Sequence, residues 1–246
     1  EDHGIEASLC KVVGSEVLAN VVDSCVQIYG GAGFIEEYPF AVMYRDERIN
    51  RIFEGTNEIN RLIIGGTLLK KAILEEIPIR DTILKRKVQW NPDISLDKKH
   101  PAYSEAQAIE YCRSLLMLIL DDLILYYGQD LKNQQWDLEP LADMVISMAV
   151  IDTGFKRYKQ IEIESIHGME TLEILKVSVA ERLNEMINNS SLIWRHIHTN
   201  EIAYERQEVA RQYLEKINYN PKVIEGKKNI MNSLQKHKKY YLDQEV

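Results

Sequence analysis

The stretch Arg45-Asp46-Glu47-Arg48-Ile49-Asn50-Arg51-Ile52-Phe53-Glu54-Gly55-Thr56-Asn57-Glu58-Ile59 reads as the end of one amphipathic helix, a glycine-containing break and the start of another. Gly55 and Thr56 fit a tight turn that feeds a helix N-terminus, with Thr56 or Asn57 as the N-cap. Glu54 sits inside the break. Its flanks Ile52, Phe53, Ile59 and Leu62 are apolar, so it reads as a partly desolvated acid rather than a solvated one. Burial against Phe53 would disfavour its carboxylate, and an acid so placed is a candidate general base.

Working outward, the chain is helical on both sides. Residues 5–29 carry Leu9, Val12, Val13, Val17, Leu18, Val21, Val22, Cys25 and Ile28 close to a helical stripe. Gly30-Gly31-Ala32-Gly33 should end that helix, and a loop should run to Pro39, which restricts Tyr38. A short helix over 40–49 follows. Beyond the break, Ile59, Leu62, Ile63, Thr67, Leu68 and Ile73 predict a helix over 57–74. A further helix is expected over 78–90 and a linker over 90–101. Three long helices are then expected over 103–127, 138–165 and 170–198, packed antiparallel, and a last pair over 202–217 and 224–241. With few glycines and prolines and no regularly spaced turn clusters, the fold class is all-α, a helical bundle followed by a second helical bundle. The division is expected near residue 76, giving units 1–76 and 77–246.

Charge and cysteine usage narrow the function. With 30 basic and 38 acidic residues the net charge is −8, which disfavours a sequence-independent nucleic-acid binder. Cys10, Cys25 and Cys112 have no paired spacing, which speaks against a disulfide framework or a zinc site and suits a reducing interior; the expected location is the cytoplasm of a bacterium or the mitochondrial matrix of a eukaryote. His196 and His198, two apart on a helix, point to different faces and do not share a metal. The longest apolar run, 115–125, is interrupted by Asp121 and Asp122 and is shorter than the ~18 residues that span a bilayer. Asp121, Asp122, Glu162 and Glu164 read as helix-surface or cap groups. The chain starts at Glu1 without Met, and the expectation is a piece of a longer polypeptide.

The order Gln27-Ile28-Tyr29-Gly30-Gly31-Ala32-Gly33-Phe34, Glu37-Tyr38-Pro39, Arg45-Asp46 and Ile52-Phe53-Glu54-Gly55-Thr56-Asn57-Glu58-Ile59 resembles the acyl-CoA dehydrogenases. The likeness covers residues 5–74, similar to the later helices of that family's C-terminal α-domain, and the wording around Glu54 with a long helical extension is most similar to the very-long-chain branch. The resemblance implies FAD-dependent α,β-dehydrogenation of an acyl-CoA to a trans-2-enoyl-CoA in fatty-acid β-oxidation. It assigns Glu54 as the base that removes the α-proton while the β-hydrogen leaves as hydride to the flavin. It also implies that the backbone N–H of Glu54 helps hold the thioester carbonyl. Gly55 matches a substrate contact. Gln27, Ile28, Tyr29, Gly30, Gly31, Thr56, Asn57 and Glu58 match flavin contacts, those near Gly30 on the flavin of a neighbouring subunit. A homodimer and an electron-transfer flavoprotein as acceptor are implied as well. The helical and β-domains that precede this region in the family are absent from the 246 residues, so this chain alone is expected neither to retain FAD nor to turn over acyl-CoA.

Two rivals stand beside that reading. A non-catalytic helical oligomerisation or partner-binding module would keep the framework without the chemistry, although the intact Glu54 motif argues against it. An acyl-CoA oxidase would abstract the same proton and pass electrons to oxygen. Arg45 and Asp46 read as a buried ion pair near Glu54, with a substrate or flavin pair as the alternative. Lys222, Lys227, Lys228, Lys236, Lys238 and Lys239, interleaved with Ile224, Ile230, Met231, Leu234 and Tyr241, read as a solvated face, with peripheral contact to an anionic membrane as the alternative.

Overall fold

The computed structural model describes residues 3–77, 81–82, 94–164 and 168–237, with side chains of 162–164 left out. Most of the expected helix over 78–90 and of the expected linker, with His167, Lys238, Lys239 and Tyr241, lies outside those residues. Every regular element described is helical: α1 Gly4–Tyr29, α2 Gly31–Phe34, α3 Pro39–Arg48, α4 Asn57–Ile73, α5 Tyr103–Tyr127, α6 Gln135–Glu164, α7 Gly168–Ile197, α8 Asn200–Ile217 and α9 Val223–His237. Short 3-10 turns follow α3 at Ile49–Arg51 and α5 at Gly128–Asn133. The all-α class expected from composition holds. The stretch after Gly30, expected as a plain loop, contains the single turn α2. Gly33 allows it to fold back, since a Cβ there would come within 2.6 Å of the Val26 carbonyl oxygen.

The helices belong to two compact units, Glu1–Ile77 with Lys132–Ala142, and Pro78–Leu131 with Asp143–Val246. In the first, α1 packs on α3 and α4. Its buried stripe is Ser8, Val12, Ser15, Ala19 and Val22, spaced four and three apart, whereas Val17, Leu18, Val21 and Ile28 are exposed, Ile28 by 81%. The same inversion occurs on α4, which buries Asn57, Asn60, Ile64, Gly65, Leu69 and Ala72 and exposes Ile59, Ile63 and Ile73. The apolar stripes read from sequence therefore coincide only in part with the faces this unit buries, at Val12 and Val22 on α1. Small and amide side chains let the two helices approach and bond to each other, and the larger aliphatic groups turn away.

The second unit has an ordinary core. Ile109, Leu115, Ile119, Leu120, Leu123, Ile151, Leu175, Val179, Leu183, Met186, Ile193 and Trp194 are buried. Paired contacts give the helix directions. Arg113 of α5 bonds Asp152 of α6 at 2.9 Å, and His100 just before α5 lies edge-on to Tyr158 further along α6. Ser147 of α6 bonds Glu185 of α7, and Gly154 lies against Leu175. Tyr111 of α5 bonds the Ala210 carbonyl of α8, and Asp122 bonds Arg206. Residue numbers rise on one helix as they fall on the other in each case, so α5 runs antiparallel to α6 and α8, and α6 antiparallel to α7. A close approach seats α9: a Cβ on Gly226 would lie 3.1 Å from Val177 Cγ2 and 3.2 Å from Glu173 Oε2.

One acid in this core is linked to pH. Glu105, in the first turn of α5, is buried, and Ser104 Oγ donates to its Oε2 at 2.9 Å. Burial raises its carboxyl above the usual 4.5, with the Ser104 bond and Lys176 acting the other way and Glu173 reinforcing the rise. A raised folded value means that Glu105 contributes stability below pH 4.5 that is lost as pH rises through the folded value. Glu105→Gln is expected to flatten that part of the profile and to stabilise the chain at pH 7. Urea unfolding at acid and neutral pH checks it, and a profile identical to the parent's would refute it.

Candidate active site

The break after α3 is built from both sides. Ile52 N donates to the Ile49 carbonyl at 2.8 Å, closing the 3-10 turn, and Phe53 N donates to the same carbonyl at 3.0 Å. Thr56 caps α4 as expected, its Oγ1 accepting from Ile59 N at 3.2 Å. Between these anchors the backbone takes positive φ at two successive residues, 54° at Glu54 and 84° at Gly55. Glycine adopts this region freely, but a side chain there costs about 1–2 kcal/mol. Strained non-glycine residues gather at functional sites, so Glu54 is marked by its backbone as well as by its carboxyl.

The expectation that Glu54 is desolvated is corrected: its side chain is exposed, as are Ile52, Phe53 and Ile59 around it. The reason is local, because the positive-φ turn projects residues 52–55 off the end of α3, and Phe53, itself about half exposed, does not cover the acid.

The next residues fall into distinct roles. Thr56, Asn57 and Glu58 line a cavity of about 390 Å³ with Glu16, Ala19, Asn20, Arg48, Arg51 and Ile52. Glu58 is exposed, and its carboxyl is held below the usual range by its own backbone N–H and then by the Thr56 hydroxyl. The Asn57 carboxamide is engaged with α1. It is 2% exposed, accepts from Lys11 Nζ at 2.6 Å and donates to Ser15 Oγ at 3.0 Å and Glu16 Oε1 at 3.1 Å. Glu16 also holds Arg61 through both carboxylate oxygens, at 2.7 and 3.1 Å. This network bolts α4 to α1 beside the turn. No motif announces it; the small and polar spacing of Ser8, Ser15 and Ala19 on α1 was its only trace in the sequence.

The glycine stretch lies elsewhere. Gln27, Ile28, Tyr29, Gly30 and Gly31 are all exposed, Gly30 has φ 56°, and a Cβ on Gly30 or Gly31 would meet nothing within 4 Å. Tyr29 stacks against Phe40 with ring centroids 4.3 Å apart, which fixes the end of α1 against α3. None of these five residues is among the walls of the cavity at Thr56. An apolar groove of about 1050 Å³ runs nearby, lined in part by Val26, Gly33, Phe34, Ile35, Ala41 and Tyr44.

Three further readings change. Arg45 does not pair with Asp46 in a buried site; it bonds Glu36 at 2.9 Å, and both side chains are largely exposed. The buried acid is one residue further on, Glu47, 3.3 Å from Arg51 Nε, because the helix turns that position inward. Asp122 is not a surface group. It is 3% exposed and accepts from Trp194 Nε1 and Arg206, each at 2.8 Å, with His198 Nε2 3.8 Å away. His198 faces that carboxylate rather than solvent. The cysteines are free, and burial pushes the Cys112 thiol up to about 12. Among the described residues no group of three His, Cys, Asp or Glu could hold a metal, and no helix is long and apolar enough to cross a membrane. On α9, Lys227 bonds Glu181, and Lys222 just before it faces Glu225, while Ile224 and Met231 stay exposed.

Comparison with known proteins bears on the same segment. The family model described as "Acyl-CoA dehydrogenase, C-terminal domain" matches residues 1–69. A Bacillus subtilis protein described as "Probable acyl-CoA dehydrogenase" is 37% identical over 160 residues, 63% of this chain and 26% of its own length. The mitochondrial very long-chain specific acyl-CoA dehydrogenase of Rattus norvegicus is 50% identical over 171 residues, 60% of this chain and 26% of the relative. The crystal structure of an acyl-CoA dehydrogenase complexed with FAD from Bacillus anthracis superposes with a TM-score of 0.86 at 30% identity, covering 96% of this chain and 40% of that one. The chain thus spans about a quarter of the length of these two curated relatives. The strained Glu54 turn lies inside the matched segment, and residues 1–69 are similar to the C-terminal domain of the acyl-CoA dehydrogenases.

Proposed function

We propose that this chain supplies the general base of an FAD-dependent acyl-CoA dehydrogenase, with residues 1–76 completing the catalytic α-domain and 77–246 forming an appended helical domain. The observation that carries the proposal is Glu54 held at positive φ directly before a capped helix, inside the segment matched by the family model. In the assembled enzyme the Glu54 carboxylate takes the α-proton of an acyl-CoA thioester, and its backbone N–H donates to the thioester carbonyl as negative charge develops there. Gly55, with no side chain, leaves the substrate room beside the base. Bound FAD supplies the acceptor for the β-hydrogen and its electron pair, so that loss of both hydrogens leaves a trans-2-enoyl-CoA.

The residues present fit such a cofactor at two edges. The N-terminus of α4, with the backbone N–H groups of Thr56 and Asn57, offers donors to an anionic group. Gln27, Ile28, Tyr29, Gly30 and Gly31 offer open backbone with nothing near the glycine Cα atoms. Because the first edge belongs to one small cavity and the second to a separate exposed turn, the 246 residues alone do not retain FAD. The outward apolar residues Val17, Leu18, Val21, Ile28, Ile59 and Ile63 are covered in the complete enzyme by the rest of the subunit and by a second subunit. One relative is named as a subunit of a caffeyl-CoA reductase–Etf complex, and an electron-transfer flavoprotein is the proposed acceptor here. The decisive experiment is acyl-CoA-dependent dye reduction by the complete polypeptide, wild type against Glu54→Gln, with peroxide measured alongside. Dye reduction that needs Glu54 supports the proposal, peroxide in place of dye reduction points to an oxidase, and equal activity of the two proteins overturns the base assignment.

A further inference from the structure

We infer that Asn60 is the positioning residue of the Glu54 turn: its carboxamide holds the two carbonyls that follow the base, and so holds the base itself. This rests on the reading of Glu54 as the base. Asn60 lies on the buried face of α4, 6% exposed, where an aliphatic side chain would be the ordinary occupant. Its Nδ2 donates to the Gly55 carbonyl at 2.9 Å and to the Thr56 carbonyl at 3.0 Å. Its backbone N–H donates to the same Thr56 carbonyl at 2.9 Å as the helix begins.

The Gly55 carbonyl precedes α4 and lies outside the helix ladder, so the side chain of Asn60 reaches back over the cap to bind it. The turn is therefore clamped at both ends, at Phe53 through the Ile49 carbonyl and at Gly55 through Asn60. Between the clamps sits Glu54, at a φ its side chain disfavours. Nothing intrinsic to a glutamate would hold it there, and an external tether must. Gly55 takes part as well: a Cβ at that position would stand 3.2 Å from Asn60 Nδ2, so glycine leaves the space the amide occupies. Asn57, three residues earlier, binds α4 to α1 through Lys11, Ser15 and Glu16. The two amides thus divide the work, one fixing the helix and the other fixing the turn that carries the base.

The test compares Asn60→Asp, which keeps the shape but loses the N–H donor, with Asn60→Gln, which keeps an amide. In the complete flavin-loaded enzyme, Asn60→Asp should lower kcat by about 10- to 100-fold, the penalty of a base displaced by about 1 Å. KM for acyl-CoA should stay within about twofold, the isotope effect from α-deuterated acyl-CoA should rise, and Asn60→Gln should recover most of the rate. Independently, hydrogen exchange of the peptide over 53–57 in the 246-residue chain should quicken at least about tenfold in Asn60→Asp and little in Asn60→Gln. Unchanged exchange in Asn60→Asp overturns the inference whatever the activity does. Wild-type kcat in Asn60→Asp, in an enzyme that Glu54→Gln inactivates, also overturns it and leaves the base assignment standing. Should Glu54→Gln remain active, the base assignment fails, while the exchange measurement still decides whether Asn60 holds the turn.

Discussion

Replacing Glu54 by Gln in the complete enzyme is expected to lower kcat roughly 10²- to 10⁴-fold, the usual contribution of a positioned general base. Gln keeps the length of the side chain and the backbone N–H that faces the thioester carbonyl, so KM and bound flavin should change little. A mutation that lowers kcat and kcat/KM together removes an interaction made in the transition state. The backbone makes a second, opposite statement about this position. Because Glu54 has φ 54°, Glu54→Gly should relieve strain and raise stability by up to about 1 kcal/mol, while losing the activity as fully as Gln does. A base retained in a conformation that costs stability is what selection for chemistry would leave. If Glu54→Gln retains more than about a tenth of the wild-type kcat, Glu54 is not the base, and the positive φ needs another explanation.

The largest expected loss of stability lies far along the chain, at Asp122. Its carboxylate accepts one bond from Trp194 and one from Arg206 in the interior of the second unit. Asp122→Ala strands the indole N–H of Trp194, which is 1% exposed, and removes the counter-charge from Arg206. An orphaned buried donor costs about 1–3 kcal/mol, and a buried charge left alone about 3–5. Arg206 is partly exposed and can turn to water, so about 3 kcal/mol is expected for the pair. For a unit of this size that corresponds to a fall of roughly 6–12 °C in Tm. Asp122→Asn keeps an acceptor for the indole and should lose less than half as much. Calorimetry of the two variants checks the order, and a Tm within about 2 °C of wild type for Asp122→Ala would show that the cluster is not what holds α5, α7 and α8 together.

The residues themselves show why some of this was readable and some was not. Capping and breaking are local, so Thr56 before α4, Gly30 after α1 and the end of α5 at Tyr127 could be located from neighbours in sequence. Burial is not local. On α1 and α4 several aliphatic positions, among them Val17, Leu18, Val21, Ile59 and Ile63, lie off the buried face, because amides and small residues fill much of the contact beside Val12, Val22, Ile64 and Leu69. Asp122 looked like an interruption in an apolar run. It is buried because Trp194 and Arg206, 72 and 84 residues away, arrive beside it. Glu47 rather than Arg45 or Asp46 turns inward by a single step of helical phase.

By itself the sequence determined that the chain is helical, roughly where its longer helices run, and which carboxylate occupies the break between α3 and α4, since all three follow from short-range propensity, capping and residue order. Only the tertiary structure decided that this carboxylate is held at positive φ, that the Asn57 side chain bonds α1, and that Asn60 reaches back to Gly55. Those outcomes depend on which groups meet across a helix interface and on where buried donors find acceptors, and that information exists only once the helices have packed.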